Sequence, residues 1–197
     1  KCWDSVYPAR NNKEMRYYEG QPTTQIITRE RWEYGPYNNV TRYYQDGDIN
    51  DPDDDYWAEI KYDETLLYKN ILSNVKSMHV KMMDSSRLTK TLRYRDATYD
   101  SLGRMLKLSQ SNDPQKVITE LVYDKYGNII EKRMPSNHNN QIMSYYYTYD
   151  SILHAYPVKI FNSLNHVSSA VYSYLYGKPL QTTDITVTTT DYNYDYR

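Results

Sequence analysis

The amino-acid sequence predicts an all-β fold of repeated antiparallel hairpins that join into an extended, curved and open sheet. Three observations lead to this prediction. Of the 197 residues, 25 are tyrosine and only one is phenylalanine. Threonine, isoleucine and valine number 16, 12 and 10, whereas alanine, the best helix former, occurs only five times. Finally, a Tyr-Asp-x-x-Gly motif recurs in the second half of the chain, where its second complete copy begins 24 positions after the first.

The composition also excludes several classes of protein. The 24 basic and 25 acidic residues nearly cancel, so a binding surface for nucleic acid or an anionic membrane is not expected. The single cysteine, Cys2, excludes a disulfide scaffold and a thiolate metal cluster. No apolar run approaches the ~18 residues of a membrane-spanning helix, so no span is expected. No motif predicts a cofactor.

The first half of the chain, residues 1–93, is predicted to be an irregular β-rich segment that leads into the repeats. Residues 24–29 and 31–34 have the composition of strands. Residues 34–41 look like a degenerate turn copy in which Asn38 takes the place of glycine, because asparagine also tolerates the left-handed backbone conformation.

Residues 66–83 carry two conflicting patterns. Their apolar residues have helical spacing, but the methionines and the valine near the end of the segment alternate as in a strand. We prefer a strand for 75–83, because the turn signal Asp84-Ser85-Ser86-Arg87 follows it. A single helical turn within 64–73 remains an open alternative.

The second half of the chain, residues 94–197, contains the repeats. Tyr99-Asp100-Ser101-Leu102-Gly103-Arg104 is followed by Tyr123-Asp124-Lys125-Tyr126-Gly127-Asn128. A partial copy at Tyr149-Asp150 has leucine at 153 instead of glycine, and a weaker copy, Tyr174-Leu175-Tyr176-Gly177, lacks the aspartate. The last four residues, 194–197, begin another Tyr-Asp copy.

Each copy has a physical interpretation as a hairpin turn. Aspartate is favoured at the first position of a type I turn, and glycine at the fourth, where the backbone is left-handed. One repeat is then a strand, a tight turn, a strand and a loop, with loops predicted at 112–115 and 136–140. The predicted site residues are therefore turn formers and strand-packing tyrosines: Tyr99, Asp100, Gly103, Arg104, Tyr123, Asp124, Gly127, Asn128, Tyr149, Asp150 and Gly177.

The acidic segment 46–55 is the densest polar feature. Asp46, Asp48 and Asn50 alternate as in a calcium-binding loop, but Asp51 stands where an EF-hand needs glycine, and Trp57 stands where it needs glutamate. We therefore expect a solvated loop rather than a cation site.

Other residues with catalytic or binding chemistry are scattered. The histidines, at 79, 138, 154 and 166, lack metal-binding spacing, and Cys2 has no nearby histidine partner. The tyrosines within 145–149 and 172–176 could stack on sugars, but cross-strand aromatic packing is the commoner role. No nucleophile–base pair is apparent, so we predict a protein that is not an enzyme.

The Tyr-Asp-x-x-Gly copies resemble the Rhs, or YD-repeat, family, which includes bacterial Rhs polymorphic toxins, the B/C components of insecticidal Tc toxins and the metazoan teneurins. The clear resemblance covers residues 94–197, and 40–44 with 56–61 look like the region that leads into the repeats of Tc-type members. In that family, hairpins join edge to edge in one long sheet. The sheet spirals into a hollow shell that encloses a toxic carboxy-terminal domain.

The resemblance implies a function. The chain would be one continuous structural module from a larger secreted or cell-surface protein, and part of the wall of a shell around a toxin or effector domain. Its partners would be the rest of the parent shell and the enclosed domain. The alternative is a surface adhesion module whose tyrosine-rich faces bind glycan or a partner protein. Unpaired strands at both ends of the sheet also predict edge-mediated self-association.

Overall fold

The all-β prediction is confirmed by the computed structural model, which describes residues 11–18, 20, 25–83, 86–112 and 115–195. The described residues form fourteen strands in one open antiparallel sheet, and the order of the strands in the sheet is their order in the chain. The strands are β1 (Asn12–Tyr17), β2 (Ile26–Tyr34), β3 (Val40–Asp48), β4 (Tyr56–Tyr62), β5 (Val75–Met83), β6 (Thr89–Tyr99), β7 (Met105–Asn112), β8 (Gln115–Tyr123), β9 (Ile129–Ser136), β10 (Ile142–Tyr149), β11 (Pro157–Asn162), β12 (Val167–Ser173), β13 (Lys178–Thr183) and β14 (Thr189–Asp191).

The ambiguous segment before the repeats contains both predicted elements. A short 3₁₀ helix spans Glu64–Lys69, and the strand predicted at 75–83 is β5. The helix begins after Asp63, whose carboxylate accepts a hydrogen bond of 2.9 Å from the Thr65 N–H. It ends at Asn70, which is left-handed with φ 59°. A second 3₁₀ helix, Pro52–Asp54, lies in the acidic segment.

Several sequence-based expectations fall partly or wholly on residues outside the described ranges. These are the strand start at Thr24, the turn residues Asp84 and Ser85, the loop residues Asp113 and Pro114, the last copy at Tyr196 and Arg197, and Cys2. Residues 26–34, where the composition indicated two strand segments, form the single strand β2.

The chain divides into two compact units, residues 1–116 and 117–197. The first unit contains β1 to β7, and the second contains most of β8 and all of β9 to β14. The boundary predicted at 93/94 marks where the sequence repeats begin. It is a different kind of boundary from the one between the two units, and it stays a prediction.

Little of the apolar surface is buried. Among the described residues, the buried apolar side chains are Ala58, Leu66 and Ala97, all in the first unit. The buried polar residues are Asp46, Ser109, Ser144 and Asp150. The hairpins are therefore held mainly by ladder hydrogen bonds and half-buried side chains, because the described residues of each unit form no thick apolar core.

Candidate functional site at the Tyr-Asp turns

The first complete Tyr-Asp copy closes the hairpin between β6 and β7. The Asp100 N–H donates to the Arg104 carbonyl oxygen at 2.9 Å, and the Gly103 N–H donates to the Asp100 carbonyl oxygen at 3.0 Å. Asp100 Oδ1 accepts from the N–H groups of Leu102 and Arg104, both at 2.9 Å. Gly103 has φ +81°, a conformation that side chains with a Cβ rarely adopt.

The second complete copy repeats this geometry between β8 and β9. Asp124 Oδ1 accepts from the N–H groups of Tyr126 at 2.8 Å and Asn128 at 2.9 Å. Gly127 has φ +93°. The aspartate thus occupies the backbone donors of the turn, and the glycine provides the left-handed residue that lets the return strand begin.

These hydrogen bonds also lower the pKa of both turn carboxyl groups. Burial alone would raise the pKa of Asp100 and Asp124, since it disfavours the charged form. Hydrogen bonds from the backbone and side chains of Arg104 and Asn128 outweigh that effect. The Arg104 guanidinium lies 2.6 Å from Asp100 Oδ2. At neutral pH both aspartates are therefore ionised, so their side chains accept hydrogen bonds and donate none.

The partial copy at Tyr149-Asp150 forms a longer turn. Without a glycine at 153, the left-handed residue is His154, with φ 52°, and the Asp150 N–H donates to the Tyr156 carbonyl oxygen at 2.9 Å. Asp150 is only 3% exposed. Its carboxylate accepts from the N–H groups of five residues, Ile152, Leu153, His154, Ala155 and Tyr156. Burial raises the pKa of Asp150, but these backbone donors hold it far below its ordinary value.

The weaker copy at 174–177 begins its turn one residue earlier than the motif suggested. The Gly177 N–H donates to the Ser173 carbonyl oxygen at 2.8 Å, and Gly177 has φ +65°. Ser173 Oγ accepts from the Tyr176 N–H at 3.4 Å, in the place where the other copies use a carboxylate.

The connections between repeats use the same turn chemistry, which the Tyr-Asp motif did not predict. The turns that begin at Asn137, Asn162 and Asp184 join β9 to β10, β11 to β12 and β13 to β14. In each, the first side chain accepts from the N–H groups two and four residues later. The fourth residues, Asn140, Asn165 and Val187, are left-handed. An Asx-x-x-Asn pattern marks the first two in the sequence, but nothing marks Val187.

The tyrosine of the motif ties two strands together. Tyr99 Oη donates to the Val75 carbonyl oxygen at 2.8 Å, and Tyr149 Oη donates to that of Ile129 at 3.1 Å. The ladder register shifts immediately before each of these tyrosines, where the partner strand has one extra residue, as in a β-bulge. Similar bonds join Tyr62 to Val40 and Tyr194 to Pro179. The dipeptide Tyr62-Asp63 is thus a further copy that the sequence analysis overlooked, although it is visible in the sequence.

Within each unit, asparagine side chains join the connections at neighbouring strand ends. In the first unit, Asn74 Nδ2 donates to the Gly103 carbonyl oxygen at 3.2 Å, and Asn39 donates to that of Leu72. In the second unit, Asn128 Nδ2 donates to the His154 carbonyl oxygen at 2.6 Å. Each asparagine directly precedes a strand, so its side chain reaches sideways to the next turn in the same unit.

The carboxylates of the acidic segment 46–55 do not converge on a cation site. Asp46 lies in β3, is 6% exposed and forms ion pairs with Arg29 at 2.7 Å and Arg31 at 3.0 Å. Asp48 accepts from the Asn50 N–H, within the loop. Among residues that the structure describes, no group of three histidine, cysteine, aspartate or glutamate side chains could hold a metal ion.

The tyrosine runs and two of the histidines take part in ring packing. Tyr146 stacks on Phe161 with ring centroids 4.9 Å apart, and Tyr172 stacks on Tyr156 at 4.8 Å. His154 stacks on the Tyr126 ring at 3.9 Å, and His79 meets Tyr94 edge to face at 4.4 Å. Within the described ranges, neither short helix is long and apolar enough to cross a membrane.

The fold and its turns define a class of protein in which hairpins with Asx turns follow one another along the chain and join side by side in a single sheet. No protein-family model matches the sequence, and no curated protein matches it. Solved structures do match its fold. The crystal structure of TcdB2-TccC3-Cdc42 matches over 91% of this chain with a TM-score of 0.63 and 12% sequence identity.

Two further structures match over 80% of this chain, each with a TM-score of 0.58 and 14% identity. One is the Tc holotoxin pore of Photorhabdus luminescens with a mutated TccC3, and the other is TcdB2-TccC3. The chain spans only 9% of the TcdB2-TccC3-Cdc42 chain and 7% of the other two. At these identities the likeness is one of fold, and the fold is that of a part of these Tc toxin chains.

Proposed function

We propose that this chain is a non-catalytic structural module that forms part of the wall of a hairpin-built shell. The shell would enclose a toxin or effector domain within a large secreted or cell-surface protein. The observation that carries the proposal is the way in which hairpins are joined: each strand pairs with the next in the chain, and tyrosine and asparagine side chains link strands and turns further.

The distribution of buried surface supports this role. A domain that folds around its own core buries many large apolar side chains, whereas here three small or medium ones are buried among the described residues. Leu102, Leu175 and Val187 are 62%, 80% and 80% exposed. Such a sheet gains stability from lateral neighbours, because each added hairpin satisfies the backbone groups of the strand before it.

Two resemblances support the identity of the larger assembly. The Tyr-Asp-x-x-Gly motif resembles the YD repeats of shell-forming toxins, and the fold matches a part of Tc toxin chains. The partners of this module would then be the rest of the parent polypeptide's sheet and the domain that it encloses. A secreted or cell-surface location follows from the same resemblance.

The proposal can be tested on the complete polypeptide that contains this sequence. Electron cryomicroscopy should show these hairpins in the wall of a closed container, and limited proteolysis should leave an enclosed domain intact until the wall is denatured. A sheet open to solvent, with no enclosed density and immediate cleavage of every other domain, would refute the proposal.

A further inference from the structure

The turn tips at one end of the strands in the second unit are apolar. The turns that close β8 with β9, β10 with β11 and β12 with β13 lie at the same end of the sheet, because alternate strands run in the same direction. Their central residues are between 44% and 80% exposed and include Tyr126, Ile152, Leu153, Leu175 and Tyr176. Turns are usually built from glycine, proline, asparagine, aspartate and serine. The apolar side chains are therefore not required by the turns themselves.

Contacts between the three turns hold their tips side by side. Asn128 Nδ2 donates to the His154 carbonyl oxygen at 2.6 Å, and the His154 ring stacks on that of Tyr126. The ring of Tyr156 lies beside that of Tyr174, with centroids 6.1 Å apart. Contiguous apolar surface of this kind is typical of interaction sites. We call this row of tips the apolar rim and define it as residues 124–128, 150–156 and 174–178.

The backbone of the apolar rim is already hydrogen-bonded within its turns. Asp124 and Asp150 accept N–H groups of the first two turns, two and five of them respectively. In the third turn, the Gly177 N–H donates to the Ser173 carbonyl oxygen. Backbone groups that are paired in this way lower the cost of entering an apolar medium, because no water is available there to replace the missing bonds.

The formal charges at the apolar rim nearly cancel. Its cations are Lys125 and Lys178, and the Nζ atom of each lies 4.8 Å from the centroid of a tyrosine ring. Its anions are Asp124 and Asp150, which hold the turn donors, and Asp195 lies near the end of the described chain. A zwitterionic headgroup suits this pattern, since its phosphate can bind a lysine and its quaternary ammonium can lie on a tyrosine face.

The apolar side chains protrude and do not line a groove. Ile152 and Leu175 are 66% and 80% exposed, so a protein partner would need a groove shaped to receive them, whereas a lipid layer adapts to them. Tyrosine beside such residues is typical of membrane–water interfaces, where its ring and hydroxyl group are both accommodated.

We propose that the apolar rim binds the surface of a phosphatidylcholine membrane. Ile152, Leu153 and Leu175 enter the boundary between headgroups and acyl chains, and the tyrosines and lysines lie among the headgroups. This binding goes beyond the wall function and does not depend on it. Failure to bind lipid would leave the wall proposal unaffected.

The test is flotation of the full chain with vesicles of pure dioleoylphosphatidylcholine at low and at high salt. The chain should float at both, because burial of apolar tips drives the binding and salt screens only charge. Ile152→Asn with Leu175→Asn should lower the membrane partition at least about tenfold. The matched control is Ile185→Asn with Val187→Asn, at a turn on the opposite end of the sheet. Those side chains are 61% and 80% exposed, and the partition should stay unchanged.

Circular dichroism and thermal melting check that both double variants are folded. The proposal is overturned if the chain does not float, if it floats only with vesicles that contain anionic phosphatidylserine, or if high salt releases it. An equal loss of partition in the control would also overturn it. So would a chain that stays off the vesicles but loses its self-association in Ile152→Asn with Leu175→Asn, because the rim would then bind a second copy of the chain.

Discussion

The phenol of Tyr99 donates a hydrogen bond of 2.8 Å to the carbonyl oxygen of Val75, the first residue of the neighbouring strand. The same relation holds between Tyr149 and Ile129, the first residue of β9. In each case the end of one strand is tied to the beginning of the strand beside it. Phenylalanine has the same ring but no donor, which gives one physical reason for 25 tyrosines against a single phenylalanine.

We expect Tyr99→Phe to lower the free energy of unfolding by about 1 kcal/mol, because the Val75 carbonyl loses its side-chain donor while the ring is retained. Urea denaturation measures this change. Tyr68→Phe is the matched control, since that ring is 75% exposed, and its stability should stay unchanged. Equal stability of the two variants would show that the phenol contributes nothing at position 99.

Gly127→Val should destabilise the second hairpin by at least ~1 kcal/mol. The φ of +93° at this position is easily reached by glycine but strains a β-branched residue. Thermal melting of the variant should show a lower midpoint. An unchanged melting temperature would contradict the role of Gly127 in the turn.

At the turn between β13 and β14, replacing a β-branched residue by one that tolerates a positive φ should stabilise the fold. Val187 has φ 66° and is 80% exposed, so its side chain is strained and contributes little packing. Val187→Asn should raise the free energy of unfolding by up to about 1 kcal/mol, because asparagine tolerates the left-handed region. Val171→Asn, at an exposed position in strand β12, serves as the control and should not stabilise. A less stable Val187→Asn would argue against strain at this turn.

Stability should fall steeply in acid. The pKa of Asp150 is lower in the folded chain than the ~3.9 of an unfolded aspartate, so its ionised form stabilises the fold. That stabilisation is present above the unfolded pKa and is lost as the pH falls below about 4 toward the folded pKa. The pKa values of Asp100, Asp124 and Asp184 are shifted in the same direction.

The measurement is denaturant unfolding between neutral and acidic pH. Asp150→Asn should be less stable than the unaltered chain at neutral pH and should show a shallower loss of stability in acid. Asp53→Asn, at an exposed carboxylate of the acidic segment, is the control for the same change of side chain, and its stability at neutral pH should stay close to that of the unaltered chain. If Asp150→Asn retains the full acid dependence, the Asp150 carboxylate is not its source.

The isolated chain should self-associate at high concentration. Among the described strands, β1 pairs only with β2 and β14 only with β13, so each leaves one backbone edge unpaired. Analytical ultracentrifugation should show an average mass that rises with concentration, and Met15→Lys with Thr190→Lys should reduce the association by placing charge on both edges. A strict monomer at all concentrations would contradict this prediction.

The sequence predicted much of this structure because the turn signals are local. Aspartate and glycine three positions apart, at 100 and 103 and at 124 and 127, encode a closed turn without reference to distant residues. In the segment 66–83, the strand β5 was chosen because a turn signal followed it.

Other features depend on which strands lie side by side. The bond from Tyr99 to Val75 and that from Asn128 to His154 join residues 24 and 26 positions apart, and no pattern within a single hairpin specifies them. Likewise, Val187 is left-handed against its own preference, in a turn that hydrogen bonds to Asp184 close.

The amino-acid sequence by itself thus determined the strand class and the positions of the complete Tyr-Asp turns, because those choices depend on the conformational preferences of adjacent residues. Only the tertiary structure decided the links between neighbouring turns and the pairing of Asp96 with Lys116. These arise when distant segments meet, and their free energy depends on distances and burial that exist only in the folded chain.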